Sequence, residues 1–86
     1  MKLSDNICAM ATPSGGAIGI IRISGPDSIT IADRHFSRNI SEAKSHTLHY
    51  GVFASDSSMP IDDVMVAVFR APHSYTGENS VEIYCH

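Results

Sequence analysis

"AIGIIRISGPDSITIADRHF", residues 17–36, changes its apolar period halfway along, and that change decides the fold class. Residues 17–24 are rich in isoleucine and bounded by glycine, which predicts a β-strand. With a period of two, Ile18, Ile20, Arg22 and Ser24 share one face, and Gly19, Ile21 and Ile23 take the other. "SGPD" then marks a helix start, with Ser24 or Gly25 at the cap and Pro26 in the first turn. Asp27 falls near the positive end of the helix dipole. Ile29, Ala32 and Phe36 recur at helical spacing, so a helix is predicted over about Pro26 to Ser37.

Outward from this core, "ICAMA" (Ile7–Ala11) reads as a short buried strand, and "TPSGG" breaks it. "SRNISEAKSH" is a polar connection with at most a short helical turn. "TLHYGVFA" predicts a strand, "SDSSMP" a turn, and "DDVMVAVFRA" a valine-rich strand. "PHSYTGEN" is loop, and "SVEIYCH" is the last strand. The order β-β-α-β-β-β predicts an α+β domain: a largely antiparallel sheet with one main helix.

The 86 residues make at most one small domain, which buries roughly two-thirds of its unfolded surface. A hydrophobic fraction of 43% and a charged fraction of 17% are ordinary globular values and exclude a disordered tail. A formal net charge of −3 with no basic run gives no footprint for independent nucleic-acid binding or for an anionic membrane. Cys8 and Cys85 are too few for a secreted disulfide framework, and the first residues do not resemble a signal peptide. No apolar stretch approaches spanning length, so a reducing cytoplasm with both thiols free is the expectation.

Three groups of residues invite a chemical reading. "PSGGAIG" (Pro13–Gly19) opens onto a strand and lacks a following Gly-Lys-Ser/Thr, so it fails as a phosphate loop. It reads instead as a tight strand-to-strand connection. Cys8, His35, His46, His49, His73, Cys85 and His86 show no ligand spacing, and no metal site is expected. Arg22 and Glu82 differ from these, because each is a charge set within an apolar strand, where it needs a partner. Glu82 shares its face with Tyr84 and His86, while Val81, Ile83 and Cys85 take the other. The residues alone leave two readings open. One is a structural cross-strand ion pair; the other is a polar ligand site, with Arg22 binding a carboxylate or carbonyl and Glu82 accepting from heterocyclic N–H groups. No catalytic residue is identified.

"ATPSGGAIGIIRISGPD", "HYG" (His49–Gly51) and "APHSYTGENSVEIYCH" together resemble the N-terminal domain of the MnmE (TrmE) family of tRNA modification GTPases. The match runs from about Ile7 to His86. The glycine loop is shorter than the family form and lacks its arginine, and Asn79 stands where the family usually has Asp. The family's Gly-Gly after the final histidine does not follow His86. The resemblance therefore implies that residues 1–86 are an N-terminal domain incomplete at its C-terminus, without the helical and GTPase domains. It also implies a fold like that of tetrahydrofolate-binding aminomethyltransferases, a one-carbon cofactor such as 5-formyl-tetrahydrofolate, and homodimerisation. The family's folate-contacting arginine falls on Arg22 and its glutamate on Glu82, both expected to line one pocket; a further lysine lies beyond His86. The parent would bind GTP, Mg and K in its GTPase domain. It would act on the wobble uridine of tRNA with an MnmG (GidA)-type flavoprotein, while this fragment would be inactive. A purely structural dimerisation module and a stand-alone aminomethyltransferase-like protein are the alternatives.

Overall fold

The change of period at Gly25 is a change of element. Strand β2 (Gly19–Ser24) ends there, and helix α1 (Ser28–His35) begins three residues later. Gly25 takes φ 138°, a conformation that favours glycine, and donates its N–H to Asn79 O at 2.9 Å. The computed structural model describes residues 6–10, 18–57, 59–74 and 77–85. Besides β2 and α1 it contains β1 (Ile7–Met10), β3 (Thr47–Ala54), β4 (Pro60–Phe69) and β5 (Ser80–Cys85). The strands form one five-stranded sheet in the order β1-β2-β5-β4-β3, with every neighbouring pair antiparallel. The α+β class, the element order and the antiparallel sheet match the sequence expectation.

Register divides the sheet into two faces. Ile23, Val81, Val68 and Thr47 lie in one cross-strand row, and Ile21, Ile83, Val66 and His49 in the next. That face meets α1: Ile23, Val64, Val66, Val68, Val81 and Ile83 pack with Ile29, Ala32, Phe36 and Ile40 into one core. Complete burial of Val66, Val68, Val81 and Ile40 stabilises the fold by about 1.5–3 kcal/mol per side chain. The opposite face carries Arg22, Glu82, Ala67 and Leu48 in one row, and Ile20, Tyr84, Met65 and Tyr50 in the next. No element of the described chain packs over it as α1 packs over the other face.

The elements differ from the sequence reading at several ends. The helix is shorter than Pro26–Ser37 because Pro26 and Asp27 form a turn after Gly25, and Asp27 is the N-cap residue. Asp27 makes no side-chain cap; its N–H and carboxylate are held by Asn6 instead, at 2.9 and 3.1 Å. At the other end Phe36 adopts extended backbone and bridges to Phe53. Strand β1 is exposed along its length rather than buried, because it lies at the sheet edge with β2 as its one strand partner. Its expected last residue, Ala11, and most of the glycine connection lie outside the described residues, as do Ala17 and His86. Strand β4 starts at Pro60, inside the expected turn. It ends at Phe69 because the Arg70 N–H turns to Ser45 Oγ, at 2.8 Å. Within the polar connection, Ile40 is wholly buried.

The residue after β4 is tied to the connection that precedes β3. Arg70 donates through Nε to Ala43 O at 2.7 Å and through Nη2 to Ser41 O at 2.9 Å, pinning residues 41–45 to the sheet. The Ala71–Pro72 peptide is cis, and the Ala71 N–H donates to Asn79 Oδ1 at 2.8 Å. Asn79 thus contributes one side-chain acceptor, which an aspartate oxygen supplies equally.

Candidate ligand-binding site

Arg22 and Glu82 are direct register partners on neighbouring strands β2 and β5. Both point to the face that α1 leaves uncovered, since Ile21, Ile23, Val81 and Ile83 alternate to the core. The two side chains form an ion pair, with Arg22 Nη2 at 2.6 Å and Nε at 3.0 Å from the same oxygen, Glu82 Oε2. The side chains retain 29% and 16% of their exposure, so the pair is sheltered without being sealed from solvent. The structure therefore brings together the two residues singled out in the sequence. It sets them in direct contact rather than across a gap.

Tyr84 completes the arrangement. It lies two residues along β5 from Glu82, on the same face, and its hydroxyl donates to Glu82 Oε1 at 2.6 Å. Each carboxylate oxygen is thus held from a different side. Burial pushes the Glu82 carboxyl up, but the Tyr84 hydroxyl and the Arg22 guanidinium together outweigh it and leave Glu82 below its ordinary range. Burial and the neighbouring carboxylate push the Tyr84 hydroxyl up to about 12. At neutral pH the group is one cation, one anion and one neutral hydroxyl.

The sequence reading placed Tyr84 on the Glu82 face without giving it a role. The signal was present: a half-buried tyrosine finds a partner for its O–H, and the nearest acceptor on its face is two residues away. Glu78 was also missed. One of its oxygens, Oε2, accepts from Ser24 Oγ at 3.3 Å, next along the face from Arg22. Ile20 and Met65, half-buried, flank Tyr84 in its cross-strand row. Buried Ala67 lies beside Glu82, where its small side chain is shadowed by longer neighbours.

These groups fit a flat, polar heterocycle. The anionic oxygen of Glu82 accepts N–H donors, the guanidinium favours a carbonyl or carboxylate, and the apolar neighbours offer a wall for a ring. Among the described residues, no cluster of His, Cys, Asp and Glu is placed to hold a metal ion. None of the described helices is long and apolar enough to cross a membrane.

Residues 6–86 match the family model described as "GTP-binding protein TrmE N-terminus". The chain is 54% identical over 87 residues to the tRNA modification GTPase MnmE of Bacteroides fragilis, covering 95% of this chain and 18% of the relative. Against the protein of that name from Chlamydia trachomatis serovar L2 it is 52% identical over 87 residues, covering 100% of this chain and 19% of the relative. The MnmE of Christiangramia forsetii is 50% identical over 91 residues, with 100% and 19% covered. The chain spans less than a fifth of the length of these relatives. A family match over nearly every residue, with "IIRIS" and "VEIYC" on the paired strands β2 and β5, places it: the chain belongs to the TrmE N-terminal family.

Proposed function

We propose that the chain is the N-terminal part of a tRNA modification GTPase. In it, Arg22 and Glu82 hold a one-carbon tetrahydrofolate such as 5-formyl-tetrahydrofolate on the uncovered face of the sheet. One observation carries this reading: Arg22 and Glu82, which the resemblance aligns with the family's folate contacts, stand side by side on a face that α1 does not cover. Glu82 accepts from the N–H edge of the pterin, and Arg22 steadies that carboxylate from the neighbouring strand and sets a positive charge beside the ligand. The folate supplies the one-carbon unit; these residues bind and orient it. The fold belongs, on this reading, with the tetrahydrofolate-binding aminomethyltransferases.

The parent protein is then a cytoplasmic GTP hydrolase, with GTP, Mg and K bound in a separate GTPase domain. It modifies the wobble uridine of tRNA together with an MnmG (GidA)-type flavoprotein. The open face also exposes Leu48 and Tyr50, at 56% and 59%, which supports homodimerisation through this domain. Calorimetric titration of 5-formyl-tetrahydrofolate into the protein tests the folate assignment. Saturable one-site binding is expected, and no heat of binding at millimolar folate contradicts it.

A second reading has its own observation. Arg22, Glu82 and Tyr84 already satisfy one another, as a structural ion pair in a dimerisation module does. On that reading folate does not bind, and loss of the pair lowers stability alone.

A further inference from the structure

A carboxylate that reads two adjacent N–H donors ordinarily offers one oxygen to each. Glu82 is not arranged for that. Arg22 Nε and Nη2 both converge on Oε2, at 3.0 and 2.6 Å, and so use the two lone-pair directions of that oxygen. The Tyr84 hydroxyl takes one direction on Oε1, at 2.6 Å. Among the described residues no donor fills the other direction on Oε1, and none donates to the Tyr84 oxygen. Oε1 and the Tyr84 hydroxyl oxygen are therefore two neighbouring acceptors, 2.6 Å apart, on the sheet face that α1 leaves uncovered.

We propose that Tyr84 is a recognition residue of this site, its hydroxyl oxygen and Glu82 Oε1 together accepting the paired N–H donors of a heterocycle's 2-amino edge. This rests on the folate reading and deepens it, because the tyrosine replaces the second carboxylate oxygen that Arg22 has occupied. The Tyr84 hydroxyl keeps its proton, directed at Glu82 Oε1, while its oxygen accepts from the ligand, so no proton has to move on binding. Holding that proton is favoured up to high pH, since the Tyr84 hydroxyl is pushed up to about 12. Ile20 and Met65 are the register partners of Tyr84 on either side of it in its row.

The test compares 5-formyl-tetrahydrofolate with its 2-desamino-2-methyl counterpart by calorimetry, on the wild-type protein and on Tyr84→Phe. Wild type is expected to lose about tenfold in affinity when the amino group is removed, the effect of one hydrogen bond. The Tyr84→Phe variant is expected to bind 5-formyl-tetrahydrofolate about tenfold more weakly and to discriminate little between the two compounds. Comparing two ligands within one variant cancels any general loss of stability. A second measurement needs no variant: a carbon-13 label at Tyr84 Cζ should shift with the amino compound and stay unmoved with the desamino one. If Tyr84→Phe discriminates as sharply as wild type, or the label ignores both compounds while they bind, the role of Tyr84 is overturned and the folate reading stands. If wild type binds neither compound, the folate reading falls and the role given to Tyr84 falls with it.

Discussion

Glu82 stays an anion in a half-buried position because two neighbours donate to it, and this makes the site's chemistry depend on pH in a definite direction. Its carboxyl is held below the ordinary glutamate value, so the stabilisation is complete above about pH 4.3, where an unfolded glutamate titrates. It is lost as pH falls through the lower folded value. Urea unfolding at pH 7 and pH 3 should therefore show a smaller loss of stability in Glu82→Gln than in wild type; equal losses would remove Glu82 from the acid response. Tyr84 runs the other way. Its folded value is raised to about 12, so its contribution is complete below about pH 10 and is lost between about 10 and 12. Alkaline titration followed by tyrosinate absorbance should contain a step near 12 that Tyr84→Phe removes. Arg22 and Glu82 were legible in the sequence because a charge inside an apolar strand has few explanations. Tyr84 was not, because a tyrosine is an ordinary strand residue and its i, i+2 hydrogen bond leaves no trace in composition.

At the scale of elements, the end of α1 is closed onto β3 by contacts that leave no room at Gly51. A Cβ there would stand 2.6 Å from Ser37 Oγ and 2.9 Å from the Phe36 ring. Ser37 N donates to Val52 O at 2.9 Å, and Val52 N donates back to Ser37 Oγ at the same distance. Gly51→Ala is expected to cost about 1–3 kcal/mol in urea unfolding, the scale of overpacking in a tight contact; an unchanged midpoint would contradict this geometry. Asn79→Asp should shift stability by less than about 0.5 kcal/mol, because either side chain accepts the Ala71 N–H. The strands and their order were readable from period and turn residues. The helix ends were not. Ser37 carried the helical reading onward, yet its N–H bonds to Val52, 15 residues further along the chain in β3, a pairing that only the tertiary fold creates. Ile40 was hidden for the same reason, one apolar residue in a polar run, buried once Arg70 ties residues 41–45 to the sheet.

The whole molecule is a sheet with one face sealed by a helix and the other left with a charged group beside exposed Leu48 and Tyr50. If a second copy covers that surface, light scattering should give the mass of a dimer, and Leu48→Asp with Tyr50→Asp should return it to a monomer. A wild-type monomer at high concentration would count against dimerisation through this face. The 86 residues contain no Gly-x-x-x-x-Gly-Lys-Ser/Thr, so this chain by itself should hydrolyse no GTP above buffer. Arg22 and Glu82 serve either a ligand or only each other. Replacing both partners at once separates the two, because exchanging a whole ion pair for apolar side chains is often neutral to stability, whereas breaking half of it is not. The decisive measurement is the affinity of Arg22→Leu/Glu82→Leu for 5-formyl-tetrahydrofolate, with its melting temperature recorded on the same sample. The account predicts a fold that melts close to wild type and folate binding weakened by at least about a hundredfold, the loss of two charge-assisted contacts. Wild-type folate affinity in the double variant would contradict it.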